Sequence, residues 1–75
     1  MKQKCVFNIT TEYIQLQQLL KLLNFIPTGG YARNFLVTNN VYVNGVIEKR
    51  RGKKLYPNDE IMIKNTLIVI KKESY

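Results

Sequence analysis

Lys49, Arg50, Arg51, Lys53 and Lys54 put five cationic side chains into a stretch of six residues, broken only by Gly52. Clustered lysine and arginine at this density form an electrostatic footprint for closely spaced phosphates. Glycine in the middle of such a run lets the backbone turn sharply or approach a ligand closely. A second candidate is Thr28-Gly29-Gly30-Tyr31-Ala32-Arg33. Where such a segment opens a helix, unpaired backbone amides and the positive end of the helix dipole favour an anion. Arg33, one turn in, has a fork that reaches a phosphate bidentately. Asn34 beside it adds a polar donor, and Tyr31 and Tyr42 offer flat faces for stacking.

Other chemistries find little support in the residue types. The chain contains no histidine and one cysteine, so the commonest general base is missing and a zinc site lacks ligands. Glu12, Glu48, Asp59, Glu60 and Glu73 are scattered. Asp59 and Glu60 are neighbours, but at a turn-to-strand junction their side chains diverge. Cys5 reads as a small apolar strand residue, not a nucleophile. The expectation is a binding protein without catalysis, metal or cofactor. Twelve Lys and Arg against five Asp and Glu give a net charge of +7, which makes a polyanion the expected partner. One cysteine and the lack of a long apolar run point to a reducing compartment, the cytoplasm, and to no membrane.

The elements that must position these groups follow from patterning. Seventy-five residues, 45% of them apolar, make one small folded domain over residues 1–75. Cys5 to Ile9 reads as a strand. Leu16, Leu19, Leu20 and Leu23 recur at helical spacing, giving an amphipathic helix of about ten residues. Asn24 to Pro27 ends it, because proline disfavours helical geometry at Ile26, and Thr28 is the expected cap of a second helix. In that helix Ala32, Phe35 and Leu36 share a face, and Asn39-Asn40 supplies a residue type tolerant of the left-handed conformation at its end. Val41-Tyr42-Val43, Asn44-Gly45 and Val46-Ile47 spell a tight hairpin. Pro57-Asn58-Asp59 is a turn, and Ile61-Ile63 with Leu67-Ile70 forms a second hairpin. The fold class is α+β: a helix-turn-helix packed on a small antiparallel sheet of short strands.

The helix Leu16 to Leu23, the turn into Ala32-Arg33, Val41-Tyr42-Val43-Asn44-Gly45 and Pro57-Asn58-Asp59-Glu60-Ile61 together resemble the S-four domain, the alpha-L motif of a small-subunit ribosomal protein, over about residues 14–64. Thr28-Gly29-Gly30-Tyr31-Ala32 and Arg50-Arg51-Gly52-Lys53-Lys54-Leu55 are similar to segments of its stand-alone bacterial YaaA/YbcJ type, which extends the likeness to nearly the whole chain. Residues 5–9 and 67–72 would then be flanking strands. The resemblance implies an RNA-binding module that recognises structured RNA, ribosomal RNA or an assembling ribosomal particle, through the second helix and the adjacent basic loop. It carries over Arg33, Arg50, Arg51, Lys53 and Lys54. With Thr28, Gly29, Gly30, Asn34 and Lys49 these make up the candidate RNA-binding set. No small-molecule substrate is implied, and a monomer is expected. Four positions depart from the family pattern. Thr28-Gly29 stands where Ser-Arg is frequent, leaving backbone amides to replace one cation. Asn39 and Asn58 stand where glycine is usual, and asparagine tolerates the same backbone region. The alternatives from composition alone are a DNA-binding protein reading a major groove with the second helix, or a protein-interaction adaptor with a basic face.

Overall fold

The computed structural model describes residues 3–73; Met1, Lys2, Ser74 and Tyr75, the ends of the domain expected from sequence, lie outside the described residues. The element order is β1 (Gln3–Ile9), β2 (Ile14–Gln15), α1 (Leu16–Leu22), a 3₁₀ turn (Gly29–Tyr31), α2 (Ala32–Thr38), β3 (Val41–Val43), β4 (Val46–Ile47), β5 (Lys54–Leu55), β6 (Glu60–Ile63) and β7 (Thr66–Lys72). Five strands form one sheet in the order β1-β7-β6-β3-β4, and β2 pairs with β5 in a separate two-stranded ladder.

The sheet is mixed, which corrects the antiparallel expectation. β1 runs parallel to β7, with Cys5 opposite Ile68 and Phe7 opposite Ile70, while β7, β6, β3 and β4 are antiparallel neighbours. Parallel strands need a long crossover, and here the rest of the fold is that crossover. Pairing across so large a separation leaves no local sign in either strand. One inward row, Cys5, Ile68, Ile61 and Val43, crosses four strands in register. Leu16, Leu19, Leu20, Ala32 and Leu36 of the two helices are buried in the same core. A fully buried leucine contributes roughly 1.5–3 kcal/mol by the area it removes from water.

The helices end differently. α1 is shorter than the leucine spacing suggests, because Ile14 and Gln15 are extended and paired with Leu55 and Lys54. Asn24 follows α1 at φ 65°; its amide donates to Lys21 O and that of Phe25 donates to Leu20 O. This is a Schellman closure with asparagine in the left-handed position. At the end of α2 the expected left-handed asparagine is not found: Asn39 is extended, at φ −129°. Its backbone amide still donates to Phe35 O at 2.8 Å, and its side-chain amide adds a second bond to the same carbonyl at 3.1 Å, closing the helix without a positive φ.

The hairpins are as the turn chemistry requires. Asn44 and Gly45 both have positive φ, at 51° and 83°, the pattern that matches the twist of flanking strands. Asn58 (φ 78°) closes the turn after Pro57, with the Asp59 amide donating to Tyr56 O.

Candidate nucleic-acid interface

The segment from Glu48 to Lys54 connects the two helices by its backbone and by one side chain. The β3–β4 hairpin delivers the chain to Glu48, whose amide donates to Val41 O. Lys49, itself exposed, folds back over the end of α2: its Nζ donates to Leu36 O at 2.6 Å and to Asn39 O at 3.4 Å. A cation at that place satisfies orphan carbonyls and complements the negative end of the α2 dipole. At the other end of the segment, the first amides of α1 are taken up by its carbonyls. Leu16 N donates to Lys53 O at 2.8 Å and Gln17 N to Arg51 O at 2.9 Å, extending the β2–β5 ladder. Gln18 Oε1 accepts from the Gln15 amide, completing that helix start. The basic segment is thus a strap from the end of α2 to the start of α1, with carbonyls turned in.

Its side chains divide by occupation. Arg50 forms a fork with Glu48, Nε to Oε2 at 3.0 Å and Nη2 to Oε1 at 3.2 Å, and the Arg50 amide donates to the same carboxylate. The Arg50 hydrogen bonds hold the Glu48 carboxyl below its ordinary value, and the carboxylate in turn raises Arg50. Lys54 places Nζ 4.8 Å from the centre of the Tyr13 ring, a cation–π contact. Arg51 is exposed and Lys53 half-buried; among the described residues neither has a carboxylate in salt-bridge reach. A Cβ at Gly52 would meet nothing within 4 Å, and its φ is not in the left-handed region, so neither crowding nor strain requires glycine there.

The Thr28–Arg33 segment enters α2 through the 3₁₀ turn. Thr28 is extended and its hydroxyl makes no capping hydrogen bond, contrary to the expected cap; Tyr31 N donates to Thr28 O and Ala32 N to Gly29 O. The tighter turn supplies the first bonds that the hydroxyl was expected to provide. Arg33 and Asn34 project from the exposed side of α2, together with Val37, while Ala32 and Leu36 face the core. Tyr31 is 56% exposed, whereas Tyr42 lies on the outward face of the sheet, paired across from Ile47 and Met62.

Two features were not singled out in the sequence. Tyr56 is 47% exposed beside the basic strap, and its ring lies 5.9 Å from that of Tyr13, tilted by 51°. Asp59 ties its neighbourhood together, accepting from Tyr56 N at 2.8 Å and from Asn44 Nδ2 at 3.0 Å, while Asn44 Oδ1 accepts from Glu60 N. Glu48 was legible in principle, since positions two apart on an extended chain share a side. The tyrosine pair was not, because 43 positions separate its members.

A family model described as the S4 domain matches residues 7–71. Over 56 residues the chain is 46% identical to the "Probable ribosome maturation protein RlbA" of Bacillus subtilis (strain 168), an alignment covering 75% of this chain and 79% of that protein. The two helices, the mixed sheet and the extent of the match agree: this chain belongs to the S4 domain family.

Proposed function

We propose that the chain is a non-catalytic module that binds structured RNA, either ribosomal RNA or a ribosomal particle in assembly, through the strap 48–54 and the exposed side of α2. The observation that carries this reading is the use of the strap's backbone and Lys49 to hold the helices, which fixes where the remaining cations stand. Charges fixed before binding lose less conformational entropy when phosphates arrive. Arg51 and Lys53 are the direct phosphate ligands in this reading, with Arg50 exchanging Glu48 for phosphate and Lys54 at the edge. Lys49 acts from behind as a strut. Arg33 and Asn34 of α2, and the backbone of Thr28, Gly29 and Gly30, supply the second group of contacts. A relative named for ribosome maturation directs the choice among polyanions toward ribosomal RNA. The protein acts as a monomer in the cytoplasm.

The test is equilibrium binding of the purified chain to ribosomal RNA fragments and to duplex DNA of equal charge across a salt series. With about four to six phosphates neutralised, log affinity should fall against log salt with a slope of roughly −3 to −5. RNA should bind more tightly than DNA at every salt concentration. Equal affinity for the two would reduce the surface to an electrostatic patch and overturn the reading. Crosslinking in cells followed by sequencing of the bound RNA would identify the target.

A further inference from the structure

Beside the strap lies an aromatic wall that phosphate binding does not use. Two adjoining open hollows share Arg50, Lys53, Lys54 and Tyr56 in their linings, and the second reaches Val43 and Val46 of the β3–β4 hairpin. The Tyr56 ring is held in place. Leu55 before it is fully buried, its own amide is bound by Asp59, and the Tyr13 ring packs against it. Lys54 in turn sits over Tyr13, which puts a cation against the aromatic pair. A half-exposed ring with cations around it and aliphatic side chains beyond suits a nucleotide, whose base is flat and apolar on its faces while its phosphate is charged. In a continuous duplex every base face is covered by its neighbours. Only a bulged, looped or terminal nucleotide presents one.

We propose that Tyr56, supported by Tyr13, is a stacking platform for one unpaired base whose flanking phosphates meet Arg50 and Lys53, so that the preferred RNA is a helix interrupted by an unpaired nucleotide. This rests on the RNA-binding reading above and sharpens it from shape and charge to a structural class of target.

The experiment uses the full chain and two RNA hairpins with the same loop and the same number of phosphates, one with a continuous stem and one with a single bulged 2-aminopurine. The bulged RNA should bind roughly tenfold more tightly, the scale of one base stacked on an aromatic ring, and the fluorophore should be quenched. Tyr56→Leu keeps apolar bulk over Leu55 but removes the π face. It should abolish both the preference and the quenching while leaving the salt slope unchanged. Tyr56→Phe should keep all three, and thermal unfolding of both variants establishes that they fold. Equal affinity of the native chain for the two hairpins, with Tyr56→Leu behaving as native, overturns the stacking platform and leaves the RNA reading standing. Failure to bind either hairpin overturns both together.

Discussion

The strap 48–54 and the segment Thr28–Arg33 carry similar chemistry in the sequence, glycine and arginine in one short segment, yet the fold treats them differently. The strap is tied to distant elements by Lys49, which bonds α2, and by the carbonyls of Arg51 and Lys53, which bond α1; the Glu48–Arg50 pair braces it from within. The α2 entry is held by bonds within its own turn, from Tyr31 to Thr28 and from Ala32 to Gly29, with no side-chain cap. A segment hydrogen-bonded from outside presents its charges in one arrangement; the α2 entry, anchored through buried Ala32 but hydrogen-bonded only within its own turn, is freer to adapt to what it meets. The difference teaches that a run of like charges becomes a defined surface when part of it is given over to structure.

The largest expected effect separates the two regions directly. Changing Arg51 and Lys53 together to alanine should weaken RNA binding by about 2–4 kcal/mol, two charge-assisted contacts, and flatten the salt slope by about one to two units. Unfolding by denaturant should be unchanged. Arg33→Ala, on the adaptable segment, should cost about 1 kcal/mol of binding, at the low end for such a contact. A larger loss from Arg33→Ala than from the double variant would reverse the comparison.

Next in size is the strut. Lys49→Ala removes a cation from the carbonyls of Leu36 and Asn39 and should lower unfolding stability by about 1–2 kcal/mol, the lower part of the scale for hydrogen bonds with a charged partner because Lys49 is exposed. Denaturant titration measures it. Unchanged stability with reduced RNA affinity would make Lys49 one more phosphate ligand and dissolve the distinction between strut and surface.

Glu48→Gln should raise RNA affinity a few-fold, since it removes a competing anion and releases the exposed Arg50. The pair also predicts a pH response. Because Arg50 holds the folded-state pKa of Glu48 below its unfolded value, the carboxylate's contribution to stability is present above that unfolded value. It is lost as pH falls through the folded value. The stability difference between the native chain and Glu48→Gln should therefore close in acid, as followed by thermal unfolding; a difference constant with pH would remove the ion pair from the account.

The smallest effect concerns glycine. With open space at Gly52 and no positive φ, Gly52→Ala should leave stability within about 0.5 kcal/mol or raise it slightly by restricting the unfolded chain. Any loss should appear in RNA affinity alone, measured by the same salt series, if phosphates approach the strap at Gly52 as proposed. Clear destabilisation would mean that the turn itself needs the glycine.

Much of the architecture was legible for local reasons. Leucines at helical spacing announced α1, and Ala32, Phe35 and Leu36 announced α2, because a one-sided apolar pattern has to be buried. Asn44-Gly45 and Pro57-Asn58 announced their turns, because few residues accept those dihedrals. Where the reading missed, a distant partner had intervened. Leu55 and Lys54 drew Ile14 and Gln15 out of the helical pattern into β2, β7 paired with β1 in parallel, and Asn39 ended α2 in an extended conformation, its side-chain amide joining its backbone amide on Phe35 O. The candidate cations were all visible in the chain. Their division into strut, ion pair and cations with no carboxylate in reach was not.

By itself, then, the sequence determined what depends on neighbours along the chain: the periodicity of the helices, the turns, the sign and density of charge, and the S4 character that these carry together. Tertiary structure alone decided which carbonyls Lys49 would satisfy, which amides the strap would cap, and that Tyr13 would lie 5.9 Å from Tyr56. The physical reason is that short-range preferences are set by dihedral sterics and side-chain period. Partner choice for an orphan carbonyl or an exposed ring is set by whichever group the closed core brings within reach.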